Sequence, residues 1–376
     1  MLFSFRQNIS TFCLQNSDFI GGFPIRPAWD AYDISKDFID YWDDVINIWL
    51  GKKDKTLNKY STVTKSYDDE EGKLNVEIEK EQAEWFNVTD KLRPSHIPEP
   101  YWGDPCNCSI VIVNYNPGGG TGENRHTYRG KGDSYPDNTM VKYVNENKYS
   151  QLAKDCPILK KKTDCNEHSW FCGYEGWKWW DKKKKWIQHL EESIPQEKDD
   201  SQDAKDSLPF CIDLCAWHSH QWRYKKKDIF DNSKLKDSIT ERFVAPLLYA
   251  IEKSDCHLAV CIGAMYSSEF FQKIISKYTF RDLTKDIYYK QLKSSAYNVQ
   301  PPKDNALKNI DKSIEVTIKA KGKETTRYYR VYNIYNEKEG KNHIILNTFS
   351  PGGNHHPAQT FWGFEKDLLT AIKSYL

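Results

Sequence analysis

Ser109–Gly122 reads SIVIVNYNPGGGTG, a run of β-forming residues that breaks at Asn116-Pro117 into three glycines. The run Ile110–Val113 is continuously apolar instead of alternating, the pattern of a strand covered on both faces of a parallel sheet. In such sheets ligands collect beyond the carboxyl ends of the strands. Pro117 removes an amide, and Gly118–Gly120 reach backbone conformations closed to other residues, so the chain here can approach a ligand closely. The stretch has neither the Lys-Ser/Thr of a P-loop nor G-x-G-x-x-G spacing, so the glycines alone do not name a ligand.

Three further apolar runs share this character. Pro209–Ala216 (PFCIDLCA) carries Asp213 and leads into WHSHQW with His218; His257–Ile262 ends in Gly263-Ala264; His343–Thr348 (HIILNT) ends in FSPGGNHHP, a second Pro-Gly-Gly loop. Helices are predicted over Ile34–Leu50, Thr240–Glu252, Ser267–Lys277 and Thr360–Tyr375. The first has Asp33 as its N-cap and sets Phe38, Trp42, Val45, Ile46 and Trp49 on one face. Ile314–Lys319 and Thr325–Tyr335 alternate β-branched or aromatic residues with charges around KGKE, which predicts a hairpin with a basic exposed face. Strands alternating with helices give an α/β class. Residues 1–104 form a partly helical N-terminal extension. Residues 105–376 form the α/β domain, with a basic, aromatic insertion near 156–206 and a β-hairpin insertion near 281–340.

The chain of 376 residues balances 54 basic against 53 acidic side chains, which excludes a uniformly basic nucleic-acid binder and leaves room for a local basic face. Trp170–Trp186 interleaves five tryptophans with five lysines, a combination suited to stacking on bases and meeting phosphates. The same segment also reads as a helix with Trp177, Trp180 and Ile187 in the core and its lysines in water. Ten cysteines are spread through a chain whose N-terminus lacks the apolar core of a secretory signal, so reduced thiols and a cytoplasmic setting are expected. Cys156, Cys165, His168 and Cys172 offer a Cys-Cys-His-Cys set, but the eight-residue first gap is loose for a zinc knuckle, and no metal is assigned. No apolar run approaches the length of a membrane span.

Two strand-polar-Pro-Gly-Gly loops, after the first and last of four strands, make the chain resemble the uracil-DNA glycosylase superfamily. In that family an Asn-Pro-Gly or Asp-Pro-Tyr motif after the first strand places the attacking water, and a His-Pro-Ser-Pro or Asn-Pro-Ser-Gly motif follows the last. The counterparts are Asn116-Pro117-Gly118 and Ser350-Pro351-Gly352-Gly353, with Ser350 where the family has His or Asn. The resemblance implies a three-layer α/β/α sandwich around a central four-stranded parallel sheet. It also implies a DNA glycosylase that needs no cofactor and acts on a flipped base.

On this reading Asn116 holds the water and Asp213 supplies a carboxylate, while Tyr115, Pro117, Gly118, Gly119, His218, Ser350, Gly352 and Gly353 line the base pocket. Asn354, His355 and His356 occupy the place of the family's duplex wedge, which offsets part of the cost of flipping. Lys182, Lys183, Lys184, Lys185, Arg223 and Lys225 are expected to meet phosphate. Family members confined to uracil have a tyrosine at the position of Gly118, and its ring blocks substituents at pyrimidine C5. Glycine removes that block, so the expected substrate is a C5-modified pyrimidine such as glucosylated hydroxymethylcytosine in phage DNA, and the expected role is antiphage defence. The same glycine loops also suit a nucleotide- or sugar-phosphate-binding protein without glycosylase chemistry, and the lysine-tryptophan segment suits a non-enzymatic DNA-binding module.

Overall fold

A computed structural model describes residues 33–50, 97–115, 140–154, 177–194, 208–216, 240–274, 279–303, 312–320, 322–336, 341–351 and 357–375. It also describes two short hairpins, Phe19–Ile20 with Phe23–Pro24 and Lys65–Asp68 with Lys73–Val76. Nine strands of this set form one sheet: β1 (Tyr101–Trp102), β2 (Cys108–Asn114), β3 (Leu208–Asp213), β4 (Leu258–Ile262), β5 (Thr279–Asp282), β6 (Asn298–Gln300), β7 (Ile314–Ala320), β8 (Lys323–Asn336) and β9 (Lys341–Phe349). Their order is β6-β7-β8-β9-β4-β2-β3-β1, and β5 pairs with the far half of β8.

The four runs read as buried strands are β2, β3, β4 and β9, and they lie side by side and parallel at the centre. Burial explains their composition. Every residue of β2 and of β4 is buried, and each aliphatic side chain removed from water contributes about 1.5–3 kcal/mol. The sheet is wider than the four strands expected. The predicted hairpin, β7 and β8, is no appendage, because Tyr328–Asn336 pairs along the whole of β9. Lys319 and Lys323 are exposed on it, but its two arginines are not. Arg327 and Arg330 are buried, Arg327 Nε donating to Thr348 Oγ1 at 2.7 Å and Arg330 Nε to Ser313 Oγ at 2.9 Å. At the other edge β1 pairs antiparallel with β3, so the sheet begins before residue 105.

The helices are α1 (Asp40–Leu50), α2 (Met140–Glu146), α3 (Tyr149–Lys154), α4 (Trp177–Ser193), α5 (Ala245–Lys253), α6 (Ser268–Ile274) and α7 (Trp362–Lys373). A wider π-type turn over Ile34–Ile39 precedes α1, and the Asp33 carboxylate caps it by accepting from the amides of Ser35 and Lys36. Phe38, Trp42, Val45 and Ile46 are buried as the periodicity predicts.

Helices cover both faces of the sheet. Cys108 Sγ lies 3.6 Å from the Ala250 carbonyl oxygen of α5, whereas the next residue, Ser109, donates through Oγ to Glu191 of α4. Between Cys108 and Val111 the pairing of β2 with β3 slips, β2 holding one residue more than its neighbour, which is a β-bulge. Against the α4 layer lies α7, joined to it where Trp186 Nε1 donates to Glu365 Oε2 at 2.9 Å. Among the described residues no helix is long and apolar enough to cross a membrane.

Candidate functional site

Parallel pairing puts the carboxyl ends of β3, β2, β4 and β9 on one edge of the sheet. Asn114, the last residue of β2, lies opposite Asp213, the last of β3. The ladder continues past both, Leu214 N–H donating to the Asn114 carbonyl at 3.0 Å and Cys215 N–H to that of Tyr115 at 2.7 Å. The backbone is therefore fixed up to the residue before Asn116.

A buried polar cluster sits at this edge. Lys183 of α4 is fully buried, and its Nζ donates to Asn114 Oδ1 at 2.7 Å. With its oxygen engaged, the Asn114 amide presents nitrogen to Asp213 and donates a hydrogen bond to the carboxylate. Asp213 as a residue is half-buried, yet its Oδ1 is out of contact with solvent and has no hydrogen-bond partner among the described residues. Burial pushes the Asp213 carboxyl well above the usual range, Lys183 and Asn114 pull it back, and the nearby carboxylate of Glu99 raises it further. Burial also pulls the Lys183 ammonium down, with Cys211 and Asp213 opposing. Glu99 is itself buried, and its Oε2 accepts from Trp102 Nε1 at 3.3 Å.

Tyr115 closes the cluster from the β4 side. Its ring lies across Gly263, whose φ of +134° and missing Cβ leave room that any side chain would fill with a clash. Its hydroxyl accepts from the Met265 amide at 2.5 Å, and the neighbouring Tyr266 hydroxyl donates to the Asn114 carbonyl at 2.5 Å. Three strand ends are thus tied together at this edge of the sheet. Tyr115, expected to line the base pocket, is buried in this core with its hydroxyl on the Met265 amide.

Of the other expected site residues, Ser350 is half-buried at the end of β9. Lys185 is exposed and Lys184 half-buried on the outer side of α4. Lys183 departs from the expectation: it faces Asn114 with no exposed surface, so it does not meet phosphate. Lys182, Trp177 and Trp180 lie in α4, with side chains outside the described set. Asn116, Pro117, Gly118, Gly119, His218, Arg223, Lys225, Gly352, Gly353, Asn354, His355 and His356 lie outside the described residues, as do Cys156, Cys165, His168 and Cys172.

Sequence reasoning missed Asn114, Glu99 and the inward role of Lys183. The signal for the last was present: Lys183 precedes the buried Trp186, Ile187 and Leu190 by three, four and seven residues, the spacing of one helix face. No protein-family model, curated protein or solved structure matches the chain, so its chemistry is read from the site itself.

Proposed function

We propose that the protein is a DNA glycosylase that hydrolyses the N-glycosidic bond of a flipped, C5-modified pyrimidine, such as glucosylated hydroxymethylcytosine, and leaves an abasic site in phage DNA as a defence. One observation carries the reading. The chain leaves β2 at Tyr115 and β9 at Ser350 on the same edge of the sheet with only β4 between them, so the two Pro-Gly-Gly loops start about 10 Å apart, two strand spacings. Asp213 stands at the same edge, beside the first loop. Loops so spaced suit a single nucleotide held between them.

The reaction passes through a cation-like sugar, so it needs a water on one face and charge stabilisation on the departing base. Asn116 positions the water but has no useful basicity. Asp213 accepts one proton as the water oxygen bonds to the sugar carbon, the glycosidic bond breaks toward the base, and the base leaves with a proton regained from the site. Backbone amides of Gly118–Gly120, Gly352 and Gly353 take the base anion, Asn354, His355 and His356 fill the gap in the duplex, and Lys184 and Lys185 meet phosphate.

The test is to incubate the protein with unmodified, uracil-containing and glucosylated-hydroxymethylcytosine DNA, and to assay alkali-labile sites together with the released base. Release from the modified DNA is expected, with loss of turnover in Asn116→Ala. Gly118→Tyr is expected to lose activity on the bulky base far more than on an unsubstituted pyrimidine. No abasic site in any DNA, alongside tight binding of a free nucleotide, overturns the reading in favour of a nucleotide-binding protein.

A further inference from the structure

Lys183 is drawn into the protein from a run of four lysines, and what holds it there bears on Asp213. Helix α4 is clamped against both its neighbours: Glu191, eight residues on, meets Ser109 of β2, and Trp186, three residues on, meets Glu365 of α7. The stretch of helix that carries Lys183 is therefore held in place. An ammonium only donates, so it takes the oxygen of the Asn114 amide and leaves the nitrogen for a carboxylate. That carboxylate is Asp213, Asn114's register partner across the two strand ends.

The surroundings make Lys183 decisive. The charged and titratable groups that act on this pair are Glu99 before β1, Cys211 of β3 and Tyr266 after β4. Glu99 adds a second buried acid beside Asp213, and Lys183 is the cation that offsets the charge of Asp213. Without it, burial and the nearby Glu99 carboxylate both oppose the charge of Asp213, and the Asn114 amide is left to favour it.

We propose that Lys183 is a positioning residue of this site: through Asn114 it fixes the direction of the Asp213 carboxylate and sustains its charge. The kinetic consequence rests on the reading of Asp213 as the proton acceptor; the electrostatic one does not. The experiment follows the Asp213 carboxyl by carbon-13 NMR, assigned with Asp213→Asn, in the wild type, Lys183→Gln and Lys183→Met. Glutamine retains a donor for Asn114 without the charge, and methionine retains neither. Both variants are expected to raise the Asp213 midpoint by about one unit or more. The acid limb of kcat/KM for base release moves to higher pH with it, because fewer molecules then carry an ionised acceptor. At a pH above that limb Lys183→Gln keeps more of kcat than Lys183→Met, since it still turns the amide. An unmoved Asp213 midpoint in a folded variant overturns the proposal. A moved midpoint in a protein that releases no base from any DNA sinks the glycosylase reading and leaves the assignment of Lys183 standing. If neither variant folds, nitrogen-15 labelling of lysine in the wild type decides: Lys183 and Asp213 are expected to titrate in shared steps, and independent midpoints count against the coupling.

Discussion

Helix α4 feeds two buried polar clusters from residues three apart, and the two are built on opposite terms. Trp186 reaches Glu365, which also accepts from the Tyr329 hydroxyl at 3.2 Å and lies in the field of Arg327. Both carboxylate oxygens are engaged, a cation balances the charge, and α4, α7 and β8 are joined there. Lys183 reaches Asn114 and acts on Asp213, where a second buried acid, Glu99, opposes it and a carboxylate oxygen of Asp213 lacks a partner among the described residues. A buried carboxylate with a full complement of donors stabilises its surroundings, whereas one left short at the end of a strand keeps capacity for a ligand or a proton. The difference separates a staple from a site without reference to any relative.

The sharpest way to break this contrast is to remove each acid in turn. Asp213→Asn is expected to lower kcat for base release roughly a thousandfold, within the range of general-base effects, with an unchanged melting temperature. Glu365→Gln is expected to leave kcat within a few-fold of wild type. The reverse pattern would invert the two assignments.

Stability should respond the other way round. Glu365→Ala strips Trp186 and Tyr329 of their shared acceptor, leaves Arg327 without the carboxylate whose field it lies in, and is expected to cost about 3 kcal/mol, read from the urea midpoint. A loss under about 1 kcal/mol would mean that the cluster does not hold the layers together.

The pH dependence sharpens the same point. Burial raises the Glu365 carboxyl to about 7 from its ordinary 4.5, so the folded chain holds this proton more tightly than the unfolded one. Its contribution to stability is therefore complete below about pH 4.5 and is lost as pH rises toward 7, by at most about 3 kcal/mol at 1.36 kcal/mol per unit. Denaturation of Glu365→Gln across this window should show a flatter profile, and an unchanged slope assigns the dependence elsewhere.

The smallest effect concerns the outer face of α4. If Lys185 meets phosphate, Lys185→Gln should reduce the salt slope of DNA binding by about one unit, while Lys183→Gln should leave that slope alone.

How much of this was legible in the sequence depended on whether a pattern repeats. The four central strands and their helices were readable because burial on both faces leaves continuous apolar runs, as in Ile110–Val113 and Leu258–Ile262. Strands β5 and β6 were missed because they lie at the sheet's edge with half or more of their residues exposed, where no such run is required. Arg327 and Arg330 looked solvated because alternation marks which residues share a face but not which face is covered. The lysine run misled for a geometric reason. Four successive helical residues sweep about 300°, so on a helix with one buried side a run of four cannot all face water. Asn114 and Glu99 carried no local mark of the site, since Lys183 and Asp213, the partners that make them part of it, are brought in by the fold from more than 60 residues away.

The slip in β2 has a wider meaning. Ser109 and Asn114 both engage α4 although they are five residues apart, and in an unbroken strand an odd separation sends side chains to opposite faces. The surplus residue between Cys108 and Val111 is what cancels that half-step. It acts like a frameshift written into the polypeptide: upstream of it the strand is phased for packing, downstream for chemistry. Deleting Ile110 would leave Ser109 and Asn114 four residues apart, a separation that an unbroken strand carries on one face, so the amide of Asn114 would keep its direction toward α4 while the bulge is lost; an added residue, not a missing one, would turn it toward the layer of α5.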